Sequence, residues 1–234
     1  MTPTIETRTD LPGSVQRMVR GHLSATLING NSETMEHIAA DALISDPPWG
    51  IGYKHSGKNL RPIPGRHTQP KRLGVVAIMG DDKQFDPRPW LRYKIVVLWG
   101  ANHFADRLPT NASWLVWDKR DGTPEKSFSC AELAWCSTNN SVRLFRYLWQ
   151  GICQAGEKGR RLHQNQKPVA LMAWSMAKAK VPEGATVLDP YMGSGSTGIA
   201  CLRTNRNFIG IEIDTRHFKV ACDRFAHEVD GVLL

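Results

Sequence analysis

Asp46-Pro47-Pro48-Trp49 follows the short apolar run Ala42–Ser45, and its residue types suit one task. Two consecutive prolines fix the backbone and remove two N–H donors. The carbonyls beside them have no local competitors and can accept hydrogen bonds from a ligand. Asp46 adds a carboxylate acceptor and Trp49 a flat apolar ring. Two acceptors and a stacking surface can together hold an aromatic amine. Taken alone, the four residues also read as an ordinary strand-ending turn whose Trp joins the core.

The second constellation is Thr186-Val-Leu-Asp-Pro-Tyr-Met-Gly-Ser-Gly-Ser-Thr-Gly198, a strand, a tight turn and a helix start. Gly193 and Gly195 allow a sharp turn and close approach to a ligand, and Ser196 or Thr197 can begin the helix. The next strand ends in Gly210-Ile211-Glu212-Ile213. An acid at the tip of the second strand of a βαβ unit can accept from both ribose hydroxyls, so loop and acid together imply a nucleoside-containing cofactor. Gly193, Gly195 and Gly198 satisfy the GxGxxG pattern of NAD sites, and a purely structural Gly-Ser turn fits the loop as well. A dinucleotide fold needs a second mononucleotide half, however, and only residues 199–234 follow. Asp189, just ahead of the glycines, disfavours a pyrophosphate and suits the positively charged sulfonium-bearing methionine part of S-adenosylmethionine. No Gly-Lys-Ser/Thr follows, which excludes a Walker loop.

Both constellations sit at the ends of apolar runs. Ala42–Ser45, Lys94–Trp99, Trp114–Trp117, Thr186–Leu188 and Phe208–Ile213 read as buried strands of a parallel sheet covered on both faces. Helical periods lie between or after some of them, most clearly Phe218, Ala221, Cys222, Phe225, Ala226 and Val229. Alternating strands and helices give an α/β open sheet, which binds ligands at the carboxyl ends of its strands. His103, after one such strand, and Glu132-Leu133-Ala134-Trp135 are further candidates to meet a substrate; Trp114, Trp117 and Trp149 read as core or sheet edge.

Asp46-Pro47-Pro48-Trp49, then His163-Gln164-Asn165-Gln166-Lys167-Pro168, then Asp189-Pro190-Tyr191-Met192-Gly193-Ser194-Gly195, in that order, resemble the β group of amino-group DNA methyltransferases. The resemblance runs from about Thr26 to Phe225 and is greatest to the short phage and stand-alone bacterial members, some of which serve restriction–modification. It implies a Rossmann-like methyltransferase fold with a seven-stranded, mostly parallel sheet, one antiparallel strand near an edge, and a circularly permuted motif order. It implies S-adenosylmethionine as cofactor, DNA as partner, a homodimer, and N6 of adenine as target, because the cytosine-N4 subgroup usually has Ser in place of Asp46; N4 of cytosine in DNA and N6 of adenine in RNA are the alternative targets. Asp46, Pro47, Pro48 and Trp49 are then catalytic. The cofactor contacts are Asn31, Asp46, Lys167, Asp189, Tyr191, Gly193, Ser194, Gly195 and Glu212, with Lys167 near the cofactor carboxylate. Asn31 stands where many relatives have Asp, and Tyr191 where the usual aromatic is Phe.

The 234 residues are enough for a single domain with one core. Five cysteines without a CxxC pair favour reduced thiols in a cytoplasm, and neither they nor any HExxH pattern suggests a metal. No apolar run is long enough to span a membrane. The formal charge of +8 favours a polyanionic partner. The surplus is concentrated: Gly50 to Gly80 holds no Asp or Glu but contains Lys54, Lys58, Arg61, Arg66, Lys71 and Arg72. This reads as a basic loop, the candidate DNA-contacting region.

Overall fold

The computed structural model describes residues 4–8, 13–35, 37–52, 79–110, 113–121, 129–138, 141–150, 153–154 and 166–229. The six basic residues from Lys54 to Arg72, and His163 to Asn165, lie outside the described residues.

Among the described residues, twelve strands and three α-helices follow one another along the chain. The strands are β1 (Thr4–Arg8), β2 (Val15–Arg20), β3 (Leu23–Asn29), β4 (Ala42–Ser45), β5 (Ile95–Trp99), β6 (Ser113–Asp118), β7 (Ala131–Cys136), β8 (Arg143–Arg146), β9 (Trp149–Gln150), β10 (Cys153–Gln154), β11 (Thr186–Asp189) and β12 (Asn207–Glu212). The helices are α1 (Val169–Lys178), α2 (Ser196–Arg203) and α3 (Thr215–Val229). Ten strands form one mixed sheet in the order β1-β2-β3-β12-β11-β4-β5-β7-β6-β8, and β9 and β10 form a separate hairpin. The neighbours from β3 to β5 are all parallel, β7 runs against both β5 and β6, and β2 runs against β1 and β3. The expected seven strands are thus too few. A stretch of seven with one reversed strand, β3 to β6, is extended by β2 and β1 at one edge and by β8 at the other.

β4 and β5 are buried at every position, as continuous apolar runs in the middle of a two-sided sheet should be. Alternation divides the core. Ala42, Ile44, Val97 and Trp99 face one cluster with Met172, Met176, Ile199, Ala200, Ala221 and Phe225 from the three helices. Leu43, Val96 and Leu98 face the other, which is closed by Phe85, Trp90, Phe104 and Trp135. Among the described residues no α-helix covers that second face. Short 3-10 turns at Arg88–Trp90, Ala101–His103 and Ala105–Arg107 lie along it instead. No helix among the described residues is long and apolar enough to cross a membrane.

Candidate active site

The parallel strands bring the predicted residues to one rim. β4 ends at Asp46, β11 at the Asp189 turn and β12 at Glu212, and the register sets Leu188 beside Leu43 and Asp189 beside Gly210. β7 is reversed, so its first residues reach the same rim: Glu132 pairs with Trp117 near the end of β6.

Asp189 is 3% exposed and fully engaged within the protein. Its Oδ1 accepts from Ser45 Oγ at 2.7 Å and from Tyr191 N at 3.1 Å; its Oδ2 accepts from Thr197 Oγ1 at 2.6 Å. Burial raises its pKa to about 6 against those hydrogen bonds. The carboxyl therefore staples the end of β4 to the first turn of α2. Gly193 and Gly195 have φ of 53° and 81°, the left-handed region that glycine tolerates. A Cβ at Gly195 would lie 2.7 Å from Phe225, whereas one at Gly193 would meet nothing within 4 Å, so the loop is packed beneath and open above Gly193. The Ser194 carbonyl and hydroxyl accept from Arg224 of α3, at 2.7 and 3.1 Å.

Glu212 accepts from Gly193 N at 2.9 Å and from Asp214 N at 2.8 Å, and burial pushes its pKa up to about 7. Its backbone carbonyl accepts from Gly30 N at 3.0 Å, which brings the Gly30-Asn31 turn beside it. Asn31 caps the Ser32–Thr34 turn, its side-chain oxygen accepting from Glu33 N at 3.0 Å. Tyr191 packs edge-on to Phe85 and Trp90. A carboxylate at the end of β12, an adjacent open glycine turn and a nearby Asn make a cradle that fits a nucleoside.

Asp46 stands across the rim from this cradle. Its Oδ2 accepts from Lys167 Nζ at 2.5 Å, while its Oδ1 is buried without a hydrogen-bond partner. Burial raises the Asp46 pKa against the opposing pull of Lys167. Trp49 stacks on His103, with centroids 4.6 Å apart and planes 15° apart, and Lys167 Nζ lies 5.4 Å from the Trp49 centroid. The Trp49 Nε1 is also buried; it lies near enough to the Asp46 carboxyl to lower its pKa, but outside hydrogen-bonding geometry. One open carboxylate oxygen beside a held aromatic ring is an acceptor arrangement for a flat molecule carrying NH groups.

Several site residues were not assigned from sequence. Ser45 and Thr197 flank motifs that were read, but nothing in their type pointed to Asp189. Glu132, a candidate to meet a substrate, bridges Lys119 and Lys167. Asp81 accepts from Gly50 N and Ile51 N at 2.7 and 3.2 Å and so ties the segment after Trp49 to the segment that begins at Met79.

Comparison with known proteins bears on the same rim. Residues 109–223 match the family model described as DNA methylase. The type II methyltransferase M2.DpnII of Streptococcus pneumoniae is 34% identical over 90 residues, 38% of this chain and 33% of that protein. M.HpaI of Haemophilus parainfluenzae is 40% identical over 74 residues, 32% of this chain and 23% of that protein. The chain thus spans well under half the length of these curated relatives. Among solved structures, the M1.HpyAVI–SAM complex aligns with 86% of this chain and 99% of its own at a TM-score of 0.52 and 18% identity. The cytosine-N4-specific PvuII DNA methyltransferase aligns with 89% and 90% at 0.53 and 12% identity. At such identities the structural likeness speaks for the fold alone.

Proposed function

We propose that this chain, whose residues 109–223 match the DNA methylase family model, transfers a methyl group from S-adenosylmethionine to N6 of adenine in DNA. The observation that carries this reading is the unpartnered, buried Asp46 Oδ1 beside Pro47 and the Trp49 ring. Glu212 would hold the cofactor ribose, the turn from Asp189 to Gly195 its methionine part, and Asn31 its adenine. Bound S-adenosylmethionine supplies the methyl group, with S-adenosylhomocysteine as the leaving group.

An arylamine is a weak nucleophile because its lone pair is shared with the ring. Asp46 Oδ1 and the Pro47 carbonyl each accept one amino proton, which draws the nitrogen toward tetrahedral geometry and localises the lone pair. Positioning and this polarisation are the chain's contributions. Proton loss follows transfer, since a free arylamine is too weak an acid to lose its proton first. Flipping the base from a duplex costs a few kcal/mol, and stacking on Trp49 returns about 1–3 kcal/mol. His103 supports the Trp49 ring from one side, so the ring's plane is set before a base arrives.

Asp at position 46 favours adenine over cytosine. Incubation with plasmid DNA and with total RNA, digestion to nucleosides and mass spectrometry should give N6-methyladenine from DNA. N4-methylcytosine, or methylation of RNA alone, overturns the assignment. Asp46→Ala should abolish transfer while leaving most S-adenosylhomocysteine affinity, read by calorimetry.

A further inference from the structure

Four charged side chains at the rim form one buried ladder. Lys119 Nζ lies 3.1 Å from Glu132 Oε1, Lys167 Nζ 3.1 Å from Glu132 Oε2, and the same Nζ 2.5 Å from Asp46 Oδ2. The side chains of Lys119, Glu132, Lys167 and Asp46 are 17, 15, 8 and 19% exposed. Two ammonium and two carboxylate groups alternate, so the ladder is formally neutral. Removing four charges from water is expensive, and apolar residues of similar volume would often stabilise a core as well or better. The arrangement therefore asks for a role other than stability.

Its geometry supplies one. Paired with Asp46 alone, Lys167 would place its whole positive charge against that carboxylate and weaken both oxygens as acceptors. Glu132 holds the same ammonium from the other side and takes a share of its charge. Lys119 in turn compensates Glu132 from the end of β6. We propose that Glu132 and Lys119 are positioning residues of the amine site: they hold Lys167 between two carboxylates, so that Asp46 Oδ1 stays aimed and strong as an acceptor for the target amino group. This rests on the amine-methylation reading above. The titratable groups acting on Asp46 are Lys167 from the start of α1, Glu132 from β7 and Asp189 from the end of β11.

The test follows the titration of Asp46 by carboxyl ¹³C NMR on aspartate-labelled protein, the signal being assigned by its loss in Asp46→Asn. Glu132→Gln removes a negative charge near Asp46, so the midpoint should fall. Lys119→Met leaves Glu132 uncompensated, so the midpoint should rise. In single-turnover methylation Glu132→Gln should be slowed about tenfold or more, and Glu132→Asp should recover part of the loss. Calorimetric affinity for S-adenosylhomocysteine should stay within about threefold in both variants. Midpoints that stay put, or move the same way in both variants, overturn the proposal, as does loss of cofactor affinity with an unmoved midpoint. Should Glu132→Gln not fold, Lys119→Met decides alone: a midpoint that does not rise refutes the ladder. A wild-type protein that methylates no DNA amine refutes the proposed function and leaves the titration result standing.

Discussion

Glu212 is a carboxyl held near its ionisation point. Burial raises its pKa from 4.5 to about 7, while the hydrogen bonds from Gly193 and Asp214 pull the other way. Ribose hydroxyls donate to the ionised form. S-adenosylhomocysteine affinity should therefore fall about tenfold between pH 8 and pH 6, measured by calorimetry, and Glu212→Gln should flatten the dependence. Glu212→Ala should weaken binding roughly 10- to 100-fold, since a hydrogen bond to a charge contributes about 1.5–3 kcal/mol. For the ligand-free protein the sign is opposite. A folded-state pKa above the unfolded one gives a contribution fully present below pH 4.5 and lost as pH rises through about 7, visible as a difference in melting temperature between wild type and Glu212→Gln. Glu212 was legible in the sequence because it ends an apolar run one helix after a glycine turn. The staple at Asp189 was not: two of its three contacts are local, but the third depends on where Ser45 arrives, and Ser45 lies 144 residues away.

Between β5 and the turn carrying His103 lies Gly100, with φ of 73°. A Cβ there would lie 1.8 Å from Trp49 Nε1, so the glycine is what lets the Trp49 ring lie against this turn. Gly100→Ala should displace Trp49 and cut single-turnover methylation by about tenfold or more, with S-adenosylhomocysteine affinity retained; unchanged turnover would show that Trp49 tolerates the shift. α3 plays the corresponding part for the cofactor turn. Phe225 is fully buried, stacks on Phe208 and underlies Gly195 and Gly198. Phe225→Ala should cost about 3–5 kcal/mol in denaturant unfolding and weaken S-adenosylhomocysteine binding together with it. The α3 period was plain in the sequence, as were the fully buried strands β4 and β5 and the largely buried β11. The edge strand β8 and β2, next to the other edge, were missed, since their burial is partial and their residues mix charge with apolar groups. β3 and β7 were missed too, although their inward residues are buried, because polar positions interrupt their apolar runs.

The formal charge of +8 belongs to the molecule as a whole, but its densest stretch leaves and returns at one place. Asp81 pins Gly50 and Ile51, so the described residues on either side of this stretch meet next to Trp49 in the chain. We propose that this stretch makes the main phosphate contacts with DNA. Lys58, Arg61, Arg66 and Arg72 changed together to Ala should weaken DNA binding and flatten its salt dependence, each lost phosphate contact removing about 0.9 from the slope of log affinity against log salt. Cofactor affinity should not change. An unaltered slope would move recognition to the basic pairs Lys119-Arg120 and Arg160-Arg161.

The central strands also set an order of events during folding. β3 pairs with β12 and β4 with β11, so residues 23–29 and 42–45 face a gap that only residues 186–212 can fill. A ribosome making this chain releases β3, β4 and β5 with two of their strand edges unsatisfied, and β11 and β12 must then enter side by side. Contacts across so much sequence close slowly, and exposed apolar edges invite pairing with other chains in the meantime. The rim that holds Asp46 and Glu212 is completed only when the last strand enters, so catalytic competence and protection from aggregation arrive in one late step.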